Sequence, residues 1–395
     1  MDINRQDFFD DGYMILREVV PADQLQALRA AFETLVERQR EKWVAERGPD
    51  DPPAGAWEKS AQPRLVHFEE LIDRDTAPTV EFCLGETTLG TSRRIMDAPD
   101  AAPTVHMMMC NPVADHGPAN WHRDIHPVDQ APLCGLQADL LANGPGYLQW
   151  NIPLYDDDVL WVVPGSHRRP NSEQENRQLL ADAKVPLPSS VAVELKAGDG
   201  VVYTNTILHW GSNYSSKKRR TVHLGYRAFG GQQYPYVPQL SRRGDYTRFL
   251  QPEYRALCAH HQVLYVRDCD QLEAVFRAAI AGDKEAFFAA LAVLHPGADQ
   301  RLVCAIIVSK LAYKIARGEH ANRAGYGGDW SQDNELGPRF SAREKELLWR
   351  RFVPLDQWLQ AGDDYFVPGF QSGPMPYLFE TIPVGLQLDE IVAGW

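Results

Sequence analysis

The segment Asn120-Trp121-His122-Arg123-Asp124 constrains this chain more than any other. On an extended strand, residues two apart project to the same face, so His122 and Asp124 can aim at one bound ion. Two ligands make an incomplete site. A fold that completes it must bring a third ligand alongside from a distant strand, and His209 is the candidate. Two imidazoles and one carboxylate on one side of a metal leave the opposite positions open, the arrangement of non-haem Fe(II) oxygenases. An His-X-Asp triplet alone is weak evidence, and its weight comes from the region around His209.

That region reads Gly198-Asp199-Gly200, an extended run from Val201 to His209, a turn through Gly211-Ser212-Asn213 and a basic stretch, then a second extended run from Arg220 to Arg227. In the first run, Val201, Tyr203, Asn205, Ile207 and His209 share one face. Val202, Thr204, Thr206, Leu208 and Trp210 share the other, and hydropathy does not choose between them. In the second run, Arg220, Val222, Leu224 and Tyr226 share one face, while Arg219, Thr221, His223, Gly225 and Arg227 share the other. Arg220 thus lies on the apolar face, which is expected to point inward. A buried guanidinium needs an anionic partner, because an unpaired buried charge costs roughly several kcal/mol even after relaxation. The simplest partner is a dicarboxylate cosubstrate gripped through two parallel hydrogen bonds.

These pieces, taken with three others, resemble a known family. The chain is similar to the phytanoyl-CoA dioxygenase-type branch of the Fe(II)/2-oxoglutarate-dependent oxygenases. The matching motifs are Phe9-Asp10-Asp11-Gly12-Tyr13, Trp121-His122-Arg123-Asp124, Val163-Pro164-Gly165-Ser166-His167, Ala197-Gly198-Asp199, and His209 followed by Arg220 in Arg219-Arg220-Thr221. The resemblance runs from the start to about Phe229. It implies iron ligands at His122, Asp124 and His209, and a 2-oxoglutarate-binding arginine at Arg220. It also suggests a cosubstrate-holding amide at Asn111, which follows the Met107-Met108-Met109 stretch. Family members commonly have His-Gly-Ser after the distal strand, whereas this chain has His209-Trp210-Gly211-Ser212, which displaces the serine that helps hold 2-oxoglutarate to Ser212.

The pattern of strands, turn signals and helical stripes along the chain gives the fold, and its C-terminal part lies beyond the resemblance. The expectation is an α+β protein with three regions: an N-terminal helical region over 1–102, a double-stranded β-helix (jelly-roll) catalytic core over 103–235, and a mostly helical extension over 236–395. Leu25, Leu28, Phe32, Leu35 and Val36 recur at helical spacing after Pro21. Asn171 to Lys184 reads as a polar loop with a short helix, and Gly230-Gly231 with Pro235 to Pro238 as a linker. Beyond it, helices are expected over Cys269–Ala281, Lys284–Leu294, Gln300–Arg317 and Ala342–Phe352. Their apolar stripes need a partner surface, either the jelly roll or a second copy in a homodimer. The Tyr326 to Trp330 loop is a candidate to close over substrate.

Composition narrows the partners. The formal charge of −13 argues against a general nucleic-acid binder. The apolar run from Leu302 to Val308 is broken by Ser309 and Lys310, too short for a membrane span of about 20 residues. Six scattered cysteines without a C-x-x-C pair fit a reducing cytoplasm. Other tempting residues have plainer readings. His126 is followed by Pro127 and is a pocket-wall residue rather than a ligand; His106 and His116 read as structural or surface histidines, and His167 as a turn-stabilising side chain. Trp121, Trp150 and Trp210 are core candidates, and Lys217-Lys218-Arg219 a solvated turn rather than a phosphate site.

The expected function is hydroxylation of an unactivated C–H bond in a small molecule, with O2 consumed and succinate and CO2 released. In this resemblance Asp124 disfavours halogenation, because halogenating relatives have a small residue there that leaves room for chloride. Two alternatives use the same residues: a Zn-dependent hydrolase, and a non-catalytic jelly-roll ligand-binding protein.

Overall fold

Short apolar runs between Gly, Pro and Asp turns form strands that stack into two facing sheets. The computed structural model describes residues 3–126, 130–228, 245–295, 297–317, 335–370 and 375–395. In chain order the strands are β1 (Tyr13–Leu16), β2 (Arg64–Leu65), β3 (Ala102–Cys110), β4 (Gly117–Pro118), β5 (His122–Arg123), β6 (Tyr147–Pro153), β7 (Asp157–Val162) and β8 (Val191–Leu195). There follow β9 (Gly200–Tyr203), β10 (His209–Trp210), β11 (Ser212–Asn213), β12 (Arg220–Arg227), β13 (Gln360–Tyr365), β14 (Gly369–Phe370) and β15 (Met375–Tyr377). The larger sheet has the order β1-β9-β6-β12-β3-β2, and the facing sheet β14-β5-β10-β7-β8. This is a distorted jelly roll, as expected.

The helices used below are α1 (Arg5–Asp11), α2 (Ala22–Ala45), α3 (Leu133–Asn143), α4 (Glu173–Ala181), α5 (Pro252–Ala281), α6 (Lys284–Leu294), α7 (Arg301–Arg317) and α8 (Ala342–Trp358). Leu28, Phe32, Leu35 and Val36 of α2 pack on the outer face of the larger sheet, against Met108, Trp150, Ile152, Val222, Leu224 and Tyr226. The face of β12 that hydropathy marks as inward therefore belongs to this outer core. His106 lies in it too, edge-on to Phe32 and Phe68, and burial pushes its pKa down to about 3. Its role is packing.

The N-terminal motif and the Pro-Gly-Ser-His turn hold each other. Gly12 caps α1 at φ 81°, where a Cβ would collide with the His167 ring. His167 Nε2–H donates to the Phe9 carbonyl at 2.9 Å, and the Gly165 N–H to that of Asp11 at 2.8 Å. His167 is thus a turn-stabilising residue.

Two expectations need correction. The run Val201 to His209 is not one strand: β9 ends at Tyr203 in the larger sheet, and β10 begins at His209 in the other. The bend between them carries His209 across. The jelly roll is also not confined to 103–235, since β1 joins the larger sheet and β14 joins the facing sheet beside β5, with Gly369 opposite His122. The C-terminal region is a mostly helical layer, as expected, but it adds a strand to the candidate metal sheet. One continuous core joins Ile125, Leu133 and Leu136 to Tyr265, Phe276, Ile306 and Phe352. Buried polar links reinforce it: Arg227 Nη2 to Asp268 Oδ2 at 2.9 Å, and His295 Nε2 to Asp139 Oδ1 at 2.7 Å. The expected linker at Gly230 to Pro238 and the Tyr326 to Trp330 loop lie outside the described residues.

Candidate metal centre

β5 and β10 are adjacent antiparallel strands in which His122 and His209 are directly paired, so their rings stand 4.5 Å apart between centroids. Asp124 follows β5, its backbone N–H bonded to the Asn205 carbonyl at 3.0 Å. One ligand atom from each of His122, Asp124 and His209 lies within 4.8 Å of the others, and among the described residues no other such group occurs. His122 Nε2 is 3.5 Å from Asp124 Oδ1, and His209 Nε2 is 3.4 Å from Asp124 Oδ2. Ligands at about 2.0–2.2 Å from one ion stand about 3 Å apart when adjacent, so the three atoms, within 4.8 Å of one another, must draw together to hold one.

Each imidazole is set by its other nitrogen. His122 Nδ1–H donates to the Asn120 carbonyl at 2.7 Å, and His209 Nδ1–H to that of Ile207 at 3.0 Å. A carbonyl can only accept, so each Nδ1 keeps its proton, and in the neutral rings that a metal requires both Nε2 atoms carry lone pairs. Burial, then His209, pushes the His122 pKa down to about 4, which keeps this ring neutral at pH 7. Burial opposes the other two shifts but loses: the imidazoles hold the Asp124 carboxyl well below its usual range, and Asp124 raises His209. Gln149 Nε2 donates to Asp124 Oδ2 at 2.9 Å. The donor set, its spacing and its tautomers fit a divalent metal such as Fe(II).

Strand register identifies what faces this cluster. Gln149 and Asn151 of β6 share the inner face of the larger sheet with Tyr203, Thr221 and His223. His223 Nδ1–H donates to Asn151 Oδ1 at 2.7 Å, and burial pushes the His223 pKa down to about 4. Arg219 projects to the same side. Its Nε bonds Asp157 Oδ2 at 3.0 Å and Thr221 Oγ1 at 3.2 Å, while its Nη1 is buried without a hydrogen-bond partner. Gln149 Oε1 is likewise buried and unpartnered. Two polar atoms in the space between the sheets are thus left without a protein partner.

Arg220 is not on that side. Its Nε bonds Glu33 Oε2 of α2 at 3.2 Å and its guanidinium lies over the Trp57 ring at 5.7 Å, in the outer core. The apolar neighbours that marked its face as inward are packed beneath α2, not toward the metal cluster. The Asn111 amide oxygen accepts from the Arg219 backbone N–H at 3.1 Å and from Arg220 Nη1 at 3.2 Å, so it braces the arginine turn. Ser212 sits in the separate ribbon β11–β4. Neither is brought to the triad. His126 lies beyond the end of β5 and outside the ligand cluster, and His116 is exposed.

The remaining alternatives resolve simply. Trp121 stacks on Trp210 at 5.0 Å in a small core, and the Trp150 indole donates to Ser92 Oγ in the outer one. Lys217, Lys218 and Arg219 bind Asp158, Glu33 and Asp157, so this turn offers no free cationic run to a phosphate. Gln149 and Arg123 have no role assigned from the sequence, and Arg219 reads there as part of a solvated turn. Only alternation from His223 back to Arg219 could have found the last, had the buried face of β12 been known.

A jelly roll with a two-histidine, one-carboxylate cluster between its sheets defines the class of non-haem metalloenzyme seen here. The Phytanoyl-CoA dioxygenase (PhyH) family pattern matches residues 8–222, more than half of the chain, and the chain belongs to that family. It is therefore a non-haem Fe(II)- and 2-oxoglutarate-dependent enzyme. Among solved structures, it is similar to the 2-oxoglutarate-dependent epimerase SnoN of nogalamycin biosynthesis (16% identity, 57% of this chain and 80% of that one, TM-score 0.40). It is also similar to the carbocyclase SnoK of the same biosynthesis (18%, 63% and 90%, 0.40). A third is EctD from S. alaskensis with 2-oxoglutarate and 5-hydroxyectoine (19%, 61% and 83%, 0.40). No curated protein sequence matches the chain. No described helix is long and apolar enough to cross a membrane.

Proposed function

We propose that His122, Asp124 and His209 hold Fe(II), that Arg219 anchors the far carboxylate of 2-oxoglutarate, and that the enzyme hydroxylates an unactivated C–H bond of a small molecule. The observation that carries this reading is the convergence of two tautomer-fixed Nε2 atoms and one ionised carboxylate on a single point. When bound, Fe(II) and 2-oxoglutarate supply an O2-dependent oxidation that releases succinate and CO2.

The chain's own residues set up that chemistry. The Asn120 and Ile207 carbonyls fix the ring orientations, and Gln149 steadies the Asp124 carboxylate. The buried Arg219 Nη1 has capacity for one more anionic partner, held in place by Asp157 and Thr221. Asp124 occupies the position that a halide would need, which favours oxygen transfer. A hydrolase would make no use of an arginine poised for a dicarboxylate, and a simple binding protein no use of fixed tautomers.

The test is a screen of small molecules for substrate-stimulated succinate release, followed by product analysis under labelled O2. One labelled oxygen in the product supports hydroxylation. A product that has lost two hydrogens, closed a ring or inverted a centre without gaining oxygen refutes it while keeping the enzyme class. His122→Ala, Asp124→Ala and His209→Ala are each expected to abolish iron binding and turnover in folded protein. A variant that keeps near-normal iron content removes that residue from the ligand set.

A further inference from the structure

We propose that the C-terminal segment Val367–Phe370 clamps the metal-bearing strand, with Arg123 and Asn171 as the positioning residues that transmit its hold. This rests on His122 and Asp124 being the metal ligands. Arg123 stands between them and points the opposite way. It is fully buried, yet among the described residues no carboxylate is hydrogen-bonded to its guanidinium, and Glu175 and Glu380 act on it only through space. Instead Nε donates to the Thr206 carbonyl at 2.9 Å, Nη2 to those of Ser166 at 3.2 Å and Arg169 at 3.3 Å, and Nη1 to Asn171 Oδ1.

A buried cation on neutral acceptors is a costly way to fill space, and an apolar side chain would do so without the penalty. What the guanidinium adds is direction. Its rigid fork ties β5 to the bend that delivers His209, through Thr206, and to the turn whose Ser166 hydroxyl accepts from the Leu208 N–H at 2.8 Å. The backbones carrying all three ligands are thereby fixed from behind.

Asn171 extends the tie to the far end of the chain. Its Nδ2 donates to the Pro368 carbonyl at 2.9 Å while its oxygen serves Arg123. Gly369 and Phe370 then run parallel to β5, paired with His122 and Arg123. Gly369 adopts φ 84°, and a Cβ there would stand 2.9 Å from Asn171 Nδ2, so the close approach requires glycine. Phe370 is buried edge-on against Phe379 at 5.0 Å, in the core shared with the C-terminal helices. Without β14, the two-residue β5 would be an unpaired edge, and short edges open easily. The C-terminal layer is thus mechanically coupled to the iron site without supplying a ligand.

The experiment uses the full-length chain and Fe(II) alone, titrated anaerobically. It compares wild type, His122→Ala, Asn171→Ala, Asn171→Asp and Gly369→Ala, with thermal midpoints and amide hydrogen exchange over residues 122–124. Residues behind the ligands shift metal affinity by about 10–100-fold, and Asn171→Ala is expected to weaken Fe(II) binding within that range and to speed exchange at β5. Asn171→Asp keeps an acceptor for Arg123 but cannot donate to Pro368, and it is expected to weaken binding as well. Gly369→Ala attacks the contact from the other side with the same result. If wild type binds no Fe(II), or His122→Ala binds it equally well, the metal assignment fails and the clamp with it. If wild type binds, His122→Ala does not, and Asn171→Ala stays within twofold of wild type, the clamp alone is overturned. A lower thermal midpoint with unchanged Fe(II) affinity overturns it too. Asn171→Ala remains decisive even where Gly369→Ala does not fold.

Discussion

Arg219 and Arg220 are chain neighbours whose side chains enter different environments. Arg219 reaches the space between the sheets, where Asp157 and Thr221 orient it and one nitrogen is unpaired. Arg220 closes an ion pair with Glu33 under α2. Arg219→Ala is expected to raise the KM for 2-oxoglutarate on the order of 100-fold, the equivalent of about 3 kcal/mol for a lost charge-assisted contact. Arg220→Ala is expected to lower the thermal midpoint and leave that KM within about threefold. Steady-state kinetics and melting of both variants check the assignment, and the opposite ranking refutes it. The convergence of His122, Asp124 and His209 was legible in the sequence only from the His-X-Asp spacing and the family resemblance taken together. The choice between the two arginines was not, because β12 is buried on both faces. An apolar face identifies a core, but not which of two cores lies above it.

At the scale of elements, α4 supports the loop that receives Arg123. Ser172 and Glu175 form a reciprocal cap, and Arg169 donates two 2.7 Å hydrogen bonds to the Glu175 carboxylate. Burial alone would raise the Glu175 pKa, but Arg169 and the Ser172 N–H outweigh it and bring it from 4.5 down to about 2. The folded state therefore binds this proton less readily than the unfolded state. Its stabilisation is complete above pH 4.5 and is lost as the pH falls toward 2. Glu175→Gln is expected to cost about 2–3 kcal/mol at pH 7 and to flatten the acid limb of the stability curve across that window. Denaturant melts at several pH values measure it, and an unchanged acid limb contradicts it. Helical periodicity made α6 and α7 readable almost to the residue and α2 from just after Pro21, whereas α4 was legible only as a short helix within the polar stretch Asn171 to Lys184. The break between β9 and β10 was not legible, because Thr204 to Leu208 contains no Gly or Pro to mark a bend, and only the tertiary positions of the two sheets impose it.

At the scale of the whole molecule, the jelly roll and the C-terminal layer share one core. A chain ending at Ala228 would expose Ile125, Leu133 and Leu136 and remove the strand beside His122. Such a truncation is expected to aggregate, which light scattering and soluble yield report directly. A soluble monomer that binds Fe(II) with full affinity contradicts the claim that the layers are inseparable. Of the helices of this layer, α6 and α7 were readable from their apolar stripes, while α5 begins at Pro252 rather than the expected Cys269 and α8 runs on to Trp358 rather than Phe352. The layer's contribution to the metal sheet was not readable, because β14 is a Gly-Phe pair with no alternation to mark it, and its partner lies more than 200 residues earlier in the sequence.

The central claim is that His122, Asp124 and His209 present Fe(II) to a chelating keto acid anchored by Arg219. Anaerobic addition of Fe(II) and then 2-oxoglutarate, followed by visible absorption, tests it most directly. Wild type should develop a weak charge-transfer band that saturates with one equivalent of each. That band should be absent from His209→Ala and require far more 2-oxoglutarate in Arg219→Ala. No band in wild type, or an undiminished band in His209→Ala, contradicts the account.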